Sequence, residues 1–529
     1  MKHKILIADG LAKEGQTLLK NSPNVELLSF DAIDRKALKE ALGSVDILIV
    51  RSRTTVDADL LDSAASLKVV IRAGIGLDNI NVPAATERGI IVMNAPTGNI
   101  VTTAEHAIAM LFATSRHIAR ADASIRAGKW EKKLFQGSEI RGKTLGIIGL
   151  GNIGKVVAQR AQGLEMQVVT YDPYVTPEAA AKYNIQVLSL EDLLARADYV
   201  SIHVPLIPAT KNLLNAKTLQ LMKKGAYVIN CARGGIVDEV ALVEHLQSGH
   251  LAGAALDVFE TEPLPADHPL TRLPNVVLTP HLGASTDEAQ VQVGVEVADQ
   301  VTQYIQGGVL KNAVNVPNVT LEQLSVLRPY LTLCERIGAF AAQVGPDRKL
   351  SKLRIRYEGV ISQYGRELLS LSVLKGFLTP LLSTGVNYVN ARNLLKERGI
   401  RVEESVSAEC DDYASLVELK VEGETSFVCA GTIFGKDEPR IVQIDNFNID
   451  AIPDGTILFT KNQDQPGVIG ALGTLISSLG INIARMHLGR DKAKKEAIAL
   501  INVDSPLTSD GVEALKKVKG MLLVKQISV

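Results

Sequence analysis

The sequence predicts an α/β protein in which a doubly wound parallel sheet is inserted in a second, flavodoxin-like α/β region, followed by an α+β region and a ferredoxin-like module. Its 529 residues correspond to three or four domains at about 150 residues each. Short apolar runs alternate with helical patterns over the N-terminal half, which indicates parallel strands joined by crossover helices. Residues 456–529 read as strand, helix, strand, strand, helix, strand, which is the ferredoxin-like order.

The composition excludes several classes of protein. Lys plus Arg (57) and Asp plus Glu (58) nearly cancel, so no chain-wide basic field is available for nucleic acid or an anionic membrane. No apolar run reaches about 18 residues, so we expect no transmembrane helix. Met1–Gly10 reads as a strand and not as a signal peptide, because its apolar run is too short. The four cysteines lack metal-ligand spacing, so we expect no metal site, no disulfide framework and a cytoplasmic location.

The N-terminal half divides into two alternating regions. The first supplies five candidate strands and then a long helix from Thr103 to about Ala127; the strands are Ile5–Ala8, Val25–Phe30, Asp46–Arg51, Lys68–Arg72 and Gly89–Asn94. The second supplies six, enough for a complete dinucleotide domain: Thr144–Ile148, Gln167–Tyr171, Tyr199–His203, Ala226–Asn230, Gly253–Asp257 and Val276–Thr279. A helix is expected over Ser285–Gln306. We hypothesise that it returns to pack on the first region, which would make that domain discontinuous.

The C-terminal part of the chain has a different character. Residues 319–452 combine helices with alternating strands such as Leu350–Val360 and Val417–Val421, without a phosphate loop. Ile452–Gly455 (IPDG) is a turn signal and marks a linker. The final module is predicted to consist of Thr456–Thr460, Val468–Leu479, Ile481–Leu488, Glu496–Val503, Ser509–Lys517 and Leu522–Val529.

A glycine-rich turn follows the first strand of the second region. It consists of Gly149, Leu150, Gly151, Asn152, Ile153 and Gly154. The first glycine permits the tight turn, the second lets the backbone approach a pyrophosphate, and the third lets helix and strand pack closely. Asp172 ends the next strand, where a carboxylate binds ribose hydroxyls and repels a 2′-phosphate. Pro173 and Tyr174 follow, with no arginine, so the sequence predicts a Rossmann-type domain that binds NAD rather than NADP.

Three later segments place ionisable residues at the carboxyl ends of strands, where ligands bind in open α/β sheets. NCARGGIVDE (230–239) contains Arg233, ALDVFETEP (255–263) contains Asp257 and Glu262, and TPHLGAST (279–286) contains His281. His281 is suited to accept the hydroxyl proton of an alcohol. Glu262 can hold the imidazole and favour its charged form. Arg233 can bind a carboxylate and polarise the adjacent carbonyl.

In this order, GLGNIG and the three segments resemble the D-isomer-specific 2-hydroxyacid dehydrogenase family. The resemblance implies that Arg233, Glu262 and His281 are the catalytic trio. It also implies a substrate-binding domain made of residues 1–98 and 284–315 around an NAD-binding Rossmann domain at 99–283. The residues expected to contact NAD are Gly149, Gly151, Asn152, Ile153, Gly154, Asp172, Val204, Cys231, Ala232, Arg233, Asp257, His281, Leu282, Gly283 and Ala284.

The N-terminal motifs narrow the substrate within the family. IVRSRTTV (49–56), IRAGIGLDNI (71–80) and MNAPTGN (93–99) are similar to members that oxidise 3-phosphoglycerate to 3-phosphohydroxypyruvate, the first step of the phosphorylated route to L-serine. The resemblance implies substrate contacts from Arg51, Arg72, Gly74, Gly76, Arg233 and His281. Several cations suit a doubly charged phosphate. Lys129, Lys132 and Lys133 beside Trp130 either form a solvated loop or reach a neighbouring subunit's site, in what the resemblance implies is a homotetramer.

The tail resembles two further domains of the family's longer members. TGVNYVNA (384–391) and PRIVQID (439–445) are similar to the intervening allosteric substrate-binding domain, expected over residues 319–452. DQPGVIG (464–470) and GINIARM (480–486) are similar to an ACT regulatory domain, expected over 456–529. The resemblance places an effector, with L-serine as the candidate, at Asn462, Asp464 and Asn482. The alternative is that this module only holds subunits together through its free sheet edges.

Three other functions remain as alternatives. A glyoxylate or hydroxypyruvate reductase would share the trio, but the extra cations and the long tail argue against it. A nucleotide-sensing binding protein could also keep the trio, because corepressors use the same fold, although an ACT-like tail favours metabolic control. The complete catalytic set argues against a purely structural assembly protein.

Overall fold

The computed structural model of the protein describes residues 2–318, 320–346, 349–382, 385–491 and 493–529. Val319, the expected first residue of the intervening region, and Thr384, which opens the motif TGVNYVNA, lie outside the described residues. Within the described ranges, no helix is long and apolar enough to cross a membrane.

The helices and strands of the described residues are numbered in chain order. The helices are α1 Lys13–Asn21, α2 Arg35–Leu42, α3 Ala58–Asp62, α4 Val82–Glu87, α5 Ile100–Ser115, α6 Ile118–Arg126, α7 Asn152–Gly163, α8 Pro177–Ala181, α9 Leu190–Arg196, α10 Ala216–Gln220, α11 Glu239–Gln247, α12 Asp287–Gly307, α13 Leu321–Val344, α14 Arg366–Leu378, α15 Ala391–Glu397, α16 Val468–Ser478 and α17 Ser509–Lys516. The strands are β1 His3–Ile7, β2 Val25–Ser29, β3 Ile47–Val50, β4 Val69–Arg72, β5 Ile91–Asn94, β6 Thr144–Ile148, β7 Gln167–Tyr171, β8 Gln186–Val187, β9 Tyr199–Ile202, β10 Ala226–Asn230, β11 Leu251–Leu256, β12 Val276–Leu278, β13 Lys352–Gly359, β14 Arg401–Ser407, β15 Ser415–Glu422, β16 Ser426–Phe434, β17 Glu438–Ile444, β18 Phe447–Ala451, β19 Thr456–Gln463, β20 Ile483–Asp491, β21 Glu496–Val503 and β22 Met521–Ser528.

The first sheet has the order β2-β1-β3-β4-β5, with all pairs parallel. This order is flavodoxin-like, as predicted. Helix α12 returns to this sheet from far along the chain: Val293, Val297 and Val301, spaced four residues apart on one face, are buried in the same core as Ile5 and Ile7. The first lobe is therefore built from two separate stretches of chain.

The second sheet has the order β12-β11-β10-β9-β6-β7-β8. Its strands run parallel, and its order reverses between β6 and β9, which is the switch point where dinucleotides bind in Rossmann-type sheets. The predicted fold is confirmed, with two corrections. The sheet has a seventh strand, the two-residue β8, that its short length hid from the sequence pattern. The single helix predicted over Thr103–Ala127 is two helices, because His117 adopts a left-handed backbone (φ 54°) between α5 and α6.

The described residues of the C-terminal part form two further sheets that share one core. The sheet β14-β13-β15-β16-β17-β18 buries alternate residues of β13 and β15 under α13 and α14. The last sheet, β20-β21-β19-β22, has the antiparallel ferredoxin-like order that was predicted, with α16 and α17 on one face. Its other face packs on α13, where the rings of Phe340 and Phe459 meet edge to face at 5.7 Å. The two units therefore form a continuous apolar core.

The intervening region also contacts the first lobe. Asn387 Nδ2 donates a hydrogen bond of 2.7 Å to the carbonyl oxygen of Gly89. Val389 is buried in the core of the first lobe beside Met93. The motif GVNYVNA, which the sequence assigned to the tail, is therefore a part of the tail that packs on the first lobe.

The first testable prediction concerns the discontinuous lobe. A Cβ atom at Gly15 in α1 would lie 2.5 Å from the carbonyl oxygen of Gly294 in α12. Gly15→Ala should therefore push α12 away from the lobe and destabilise it by about 1–3 kcal/mol, measured as faster native-state hydrogen exchange in β1–β5. Gly163→Ala is the control, because nothing lies within 4 Å of a Cβ there. Equal exchange in both variants would contradict the close α1–α12 packing.

Candidate active site

The glycine turn lies at the switch point of the second sheet. Gly149 has a left-handed backbone (φ 95°), and a Cβ there would lie 2.6 Å from Val204 Cγ1. Helix α7 begins directly after Gly151 without a side-chain cap, so the N–H groups of Asn152 and Ile153 are not bonded by a cap. A Cβ at Gly154 would lie 2.1 Å from the carbonyl oxygen of Gly149, which shows how closely helix and strand pack. An uncapped helix start of this kind suits a pyrophosphate.

Asp172 lies at the end of β7, beside the glycine turn. One of its oxygens accepts a hydrogen bond from the Leu150 N–H (2.9 Å) and the other accepts one from the Tyr174 N–H (2.9 Å). These bonds fix the carboxylate next to the turn, and each oxygen keeps a lone pair for a ribose hydroxyl. The residues present therefore fit the adenosine end of NAD.

Arg233 lies in the turn after β10, and its side chain extends across the cleft to the first lobe. Asn230 folds this turn: its side chain accepts from the Ala232 N–H (3.0 Å) and donates to the Arg233 carbonyl (2.9 Å). Arg233 Nε donates to Asp78 of the first lobe at 2.8 Å. Burial raises the pKa of the neighbouring Cys231 thiol, which disfavours the thiolate form.

The carboxylate and imidazole of the predicted trio are in contact. His281 Nδ1 lies 2.8 Å from Glu262 Oε2, and the Phe259 N–H donates to the other oxygen of Glu262 at 3.1 Å. Burial disfavours the charged carboxylate, but the hydrogen bond and charge of His281 outweigh it and hold the pKa of Glu262 below its usual range. An ionised Glu262 binds the Nδ1–H, which directs the Nε2 atom of His281 away from Glu262, as a proton-accepting imidazole requires.

Asp257, an expected cofactor contact, follows β11 directly, and its contact with NAD stays a prediction. Its side chain is fully buried, and it accepts hydrogen bonds from the Thr279 hydroxyl (2.6 Å), the Leu282 N–H (2.7 Å) and the Gly283 N–H (2.8 Å). These hydrogen bonds to the carboxylate therefore fix the conformation of the loop that carries His281. Ala284, also an expected cofactor contact, follows directly in the same loop and is half-buried.

Three guanidinium groups meet at the first-lobe side of the cleft. A Cβ at Gly74 would lie 1.7 Å from Arg72 Nη1, and a Cβ at Gly76 would lie 1.7 Å from Arg233 Nη2, so both glycines make room for arginines. Burial, and next the charge of Arg233, lowers the pKa of Arg72 to about 10, with Arg51 adding to the effect. Burial also lowers the pKa of Arg51. Like charges held this closely in a half-buried site favour a bound anion.

The basic segment around Trp130 is exposed to solvent. Trp130 is 86% exposed, and Lys129, Lys132 and Lys133 beside it are exposed on a loop and short 3₁₀ helix. Their position leaves both alternatives, a solvated loop or a contact with another subunit, as predictions.

The predicted effector residues occupy the last module. Asn462 in β19 is 2% exposed, and its Oδ1 has no hydrogen-bond partner among the described residues. Asp464 pairs with Arg490 at 2.7 Å, and Asn482 donates to Asp504 at 2.8 Å. The three side chains thus keep separate partners within this chain, and their joint role toward an effector stays a prediction.

Three residues near the site escaped the sequence analysis. Asp78 lies within the quoted motif IRAGIGLDNI, but its partner Arg233 lies 155 positions further along the chain. Thr103 and His106 lie on α5, where a helical pattern alone gives no reason to select them. His106 Nε2 is 3.2 Å from Asp257 Oδ1, a contact that only the tertiary structure shows.

Three family models match this chain. They describe the NAD binding domain of D-isomer specific 2-hydroxyacid dehydrogenases (residues 108–283), the D-3-phosphoglycerate dehydrogenase intervening domain (326–445) and the ACT domain (456–520). Together with the Rossmann-type sheet and the His281–Glu262 pair, they define the chain as an NAD-dependent oxidoreductase of the D-isomer specific 2-hydroxyacid dehydrogenase class.

Individual relatives are similar over the whole chain. The D-3-phosphoglycerate dehydrogenase of Archaeoglobus fulgidus is 41% identical over 523 residues and 98% of either chain. That of Bacillus subtilis is 40% identical over 99% of either chain. A solved glyoxylate reductase from Paecilomyes thermophila is 31% identical with a TM-score of 0.54, covering 59% of this chain and 98% of its own. The chain belongs to the D-3-phosphoglycerate dehydrogenase family.

The second testable prediction concerns cofactor choice. Asp172→Asn replaces the carboxylate by an uncharged amide of similar shape. It should therefore weaken NADH binding about tenfold and reduce the preference for NADH over NADPH. Direct titration of both nucleotides, followed by fluorescence, measures this. Asp198→Asn is the control, because Asp198 also accepts a backbone N–H of the sheet (Thr144, 2.8 Å) but lies at its opposite end. An unchanged preference in Asp172→Asn would remove the basis for NAD selection.

Proposed function

We propose that this protein oxidises 3-phosphoglycerate at C2 to 3-phosphohydroxypyruvate with NAD, the first step of the phosphorylated route to L-serine. The observation that carries the proposal is the cluster of Arg51, Arg72 and Arg233, in a chain that also holds the His281–Glu262 pair. A substrate with a carboxylate and a doubly charged phosphate matches this cluster better than a singly charged hydroxy acid does.

The roles of the side chains follow from their chemistry. His281 accepts the hydroxyl proton at Nε2 as general base, and Glu262 stabilises the imidazolium that forms. Arg233 binds the substrate carboxylate and the oxygen that becomes a carbonyl, while Arg51 and Arg72 hold the remaining negative charge. The uncapped start of α7 and the Asp172 carboxylate would hold NAD, which would supply the hydride acceptor.

The tail and the relatives support this substrate over the alternatives. The tail of this chain matches the models of the D-3-phosphoglycerate dehydrogenase intervening domain and of the ACT domain. The relatives that match this chain end to end are named D-3-phosphoglycerate dehydrogenases, whereas the glyoxylate reductase covers only part of it. A nucleotide-sensing binding protein could keep the His281–Glu262 pair, so the pair does not separate sensing from turnover. The ACT module and the relatives that match the whole chain favour the dehydrogenase.

We also propose the assembly and regulation of the protein. The exposed Trp130 and its lysines support a homo-oligomer, by resemblance a tetramer, in which this segment reaches a neighbouring site. The ACT module supports control by L-serine at Asn462, Asp464 and Asn482. The four cysteines are all free thiols, which supports a cytoplasmic location. The domain bounds proposed are 1–98 with 284–315, 99–283, 319–452 and 456–529.

The third testable prediction concerns the substrate. NADH oxidation should be much faster with 3-phosphohydroxypyruvate than with hydroxypyruvate, glyoxylate or pyruvate. Arg51→Gln should lower kcat/KM for the phosphorylated acid about tenfold or more, because a charge-assisted hydrogen bond is lost, and should affect hydroxypyruvate less. Arg35→Gln is the control, since Arg35 pairs with Asp57 on the surface of the same lobe. Comparable rates with unphosphorylated acids would identify a reductase, and added L-serine in the same assay tests regulation.

The fourth testable prediction concerns the base. His281→Ala should lower kcat about 10²–10⁴-fold, because a positioned acid–base group is lost, and Glu262→Gln should lower it less. His268→Ala removes a second histidine beside a glutamate (Glu239, 3.2 Å) and is the matched control, with activity retained. Near-normal turnover of His281→Ala would contradict its role as base.

A further inference from the structure

Helix α5 holds the loop that carries His281 through two side chains one turn apart. Thr103 Oγ1 donates a hydrogen bond of 3.0 Å to the carbonyl oxygen of Gly283. His106 Nε2 lies 3.2 Å from Asp257 Oδ1 and 3.3 Å from Thr279 Oγ1. Because residues three apart lie on the same helix face, both contacts come from one side of α5.

The carboxylate of Asp257 is the centre of these contacts. It is fully buried, and each of its oxygens accepts a backbone N–H from the loop, at Leu282 and Gly283. The Thr279 hydroxyl donates to Oδ1 as well. A buried carboxylate needs donors on every side, since an unmet hydrogen bond to a buried charge is costly. His106 is the donor that does not belong to the loop or to its strand.

The loop needs this support because its backbone is strained at the catalytic position. His281 has a left-handed backbone with φ 56°, an uncommon conformation for a residue with a side chain. Its N–H donates to the carbonyl oxygen of Asp257 at 2.9 Å. Such a conformation persists when the surroundings fix it from several directions. The hydrogen bonds of Asp257 provide this restraint.

We propose that His106 is a positioning residue: its Nε2–H completes the donors around Asp257 and thereby fixes the Thr279–Gly283 loop, so that His281 faces the substrate. The inference deepens the proposed function and rests on it for the role of His281. The arrangement of the loop itself does not depend on which 2-hydroxy acid is oxidised. His106 is 19% exposed at its side chain. Among the described residues, Asp257 is the only charged group within ion-pair distance of it.

The first test reads the loop without any substrate. Hydrogen–deuterium exchange of the peptide that spans residues 279–286 reports the N–H groups that donate to Asp257. In His106→Leu, which lacks a donor, this peptide should exchange faster than in the unmodified protein. In His106→Gln, whose side-chain amide restores an N–H at similar reach, the protection should return. Exchange that is unchanged in His106→Leu would overturn the proposal.

The second test separates positioning from folding. His106→Leu should lower kcat about 10- to 100-fold, because a displaced catalytic group costs up to about 10²-fold. Binding of ADP-ribose, which senses only the Asp172 side of the cofactor site, should not change, and His106→Gln should recover most of kcat. His245→Leu is the matched control: this helical histidine bonds the Ala241 carbonyl at 2.8 Å, away from the loop. Equal losses in kcat and ADP-ribose binding, or no recovery with Gln, would show a merely structural role.

The two tests distinguish this inference from the proposed function. If the unmodified protein reduces none of the 2-oxo acids, the proposed function fails, and the exchange experiment still decides whether His106 holds the loop. If the unmodified protein is active and His106→Leu is equally active, the positioning role fails while the proposed function stands.

Discussion

The mutual repulsion of three guanidinium groups is the constraint on which the site depends. Arg51 and Arg72 lie at the ends of neighbouring strands of the first sheet, and Arg233 reaches them from the second sheet. Partly buried like charges repel strongly because little water screens them. The structure compensates in part with carboxylates, since Asp78 pairs with Arg233 and the charge of Asp9 favours the charged form of Arg51. The cleft therefore carries an unbalanced positive charge that an anion neutralises, which links its shape to the choice of substrate.

This site exists only because two lobes face each other, and their relative placement depends on distant parts of the chain. Helix α12, which packs in the first lobe, follows the Rossmann-type sheet in the sequence. The chain therefore crosses between the lobes twice, once just before α5 and once just after the His281 loop. Thr97 and Gly98 on one connection donate to Glu296 of α12. The tail contacts the same lobe through Asn387 and Val389 and shares a core with the last module. Packed residues therefore connect the last module to the first lobe, and a structural change in the last module has a path of contacts to that lobe.

The elements that could be predicted from the sequence are those that depend on short, local residue patterns. The bounds of β6, β7, β10 and β21 match the predicted segments, because each is a short apolar run between clear turn signals. The break at His117 was missed because neither glycine nor proline marks its left-handed backbone. Asp257 was placed at the correct strand end, but its role in folding the loop depends on bonds to residues 22 to 26 positions away. The contributions of His106 and Asp78 come from elements far apart in the chain, and no local pattern could indicate them.

The affinity of the cleft for a phosphorylated acid, relative to its unphosphorylated counterpart, tests the central claim most directly. Calorimetric titration of 3-phosphoglycerate and of D-glycerate into the protein saturated with NADH measures both without turnover. The account predicts that 3-phosphoglycerate binds at least about tenfold more tightly, since each charge-assisted hydrogen bond contributes roughly 1.5–3 kcal/mol, and that added salt reduces the difference. Equal affinities at low salt would contradict the view that the arginine cluster selects the phosphate.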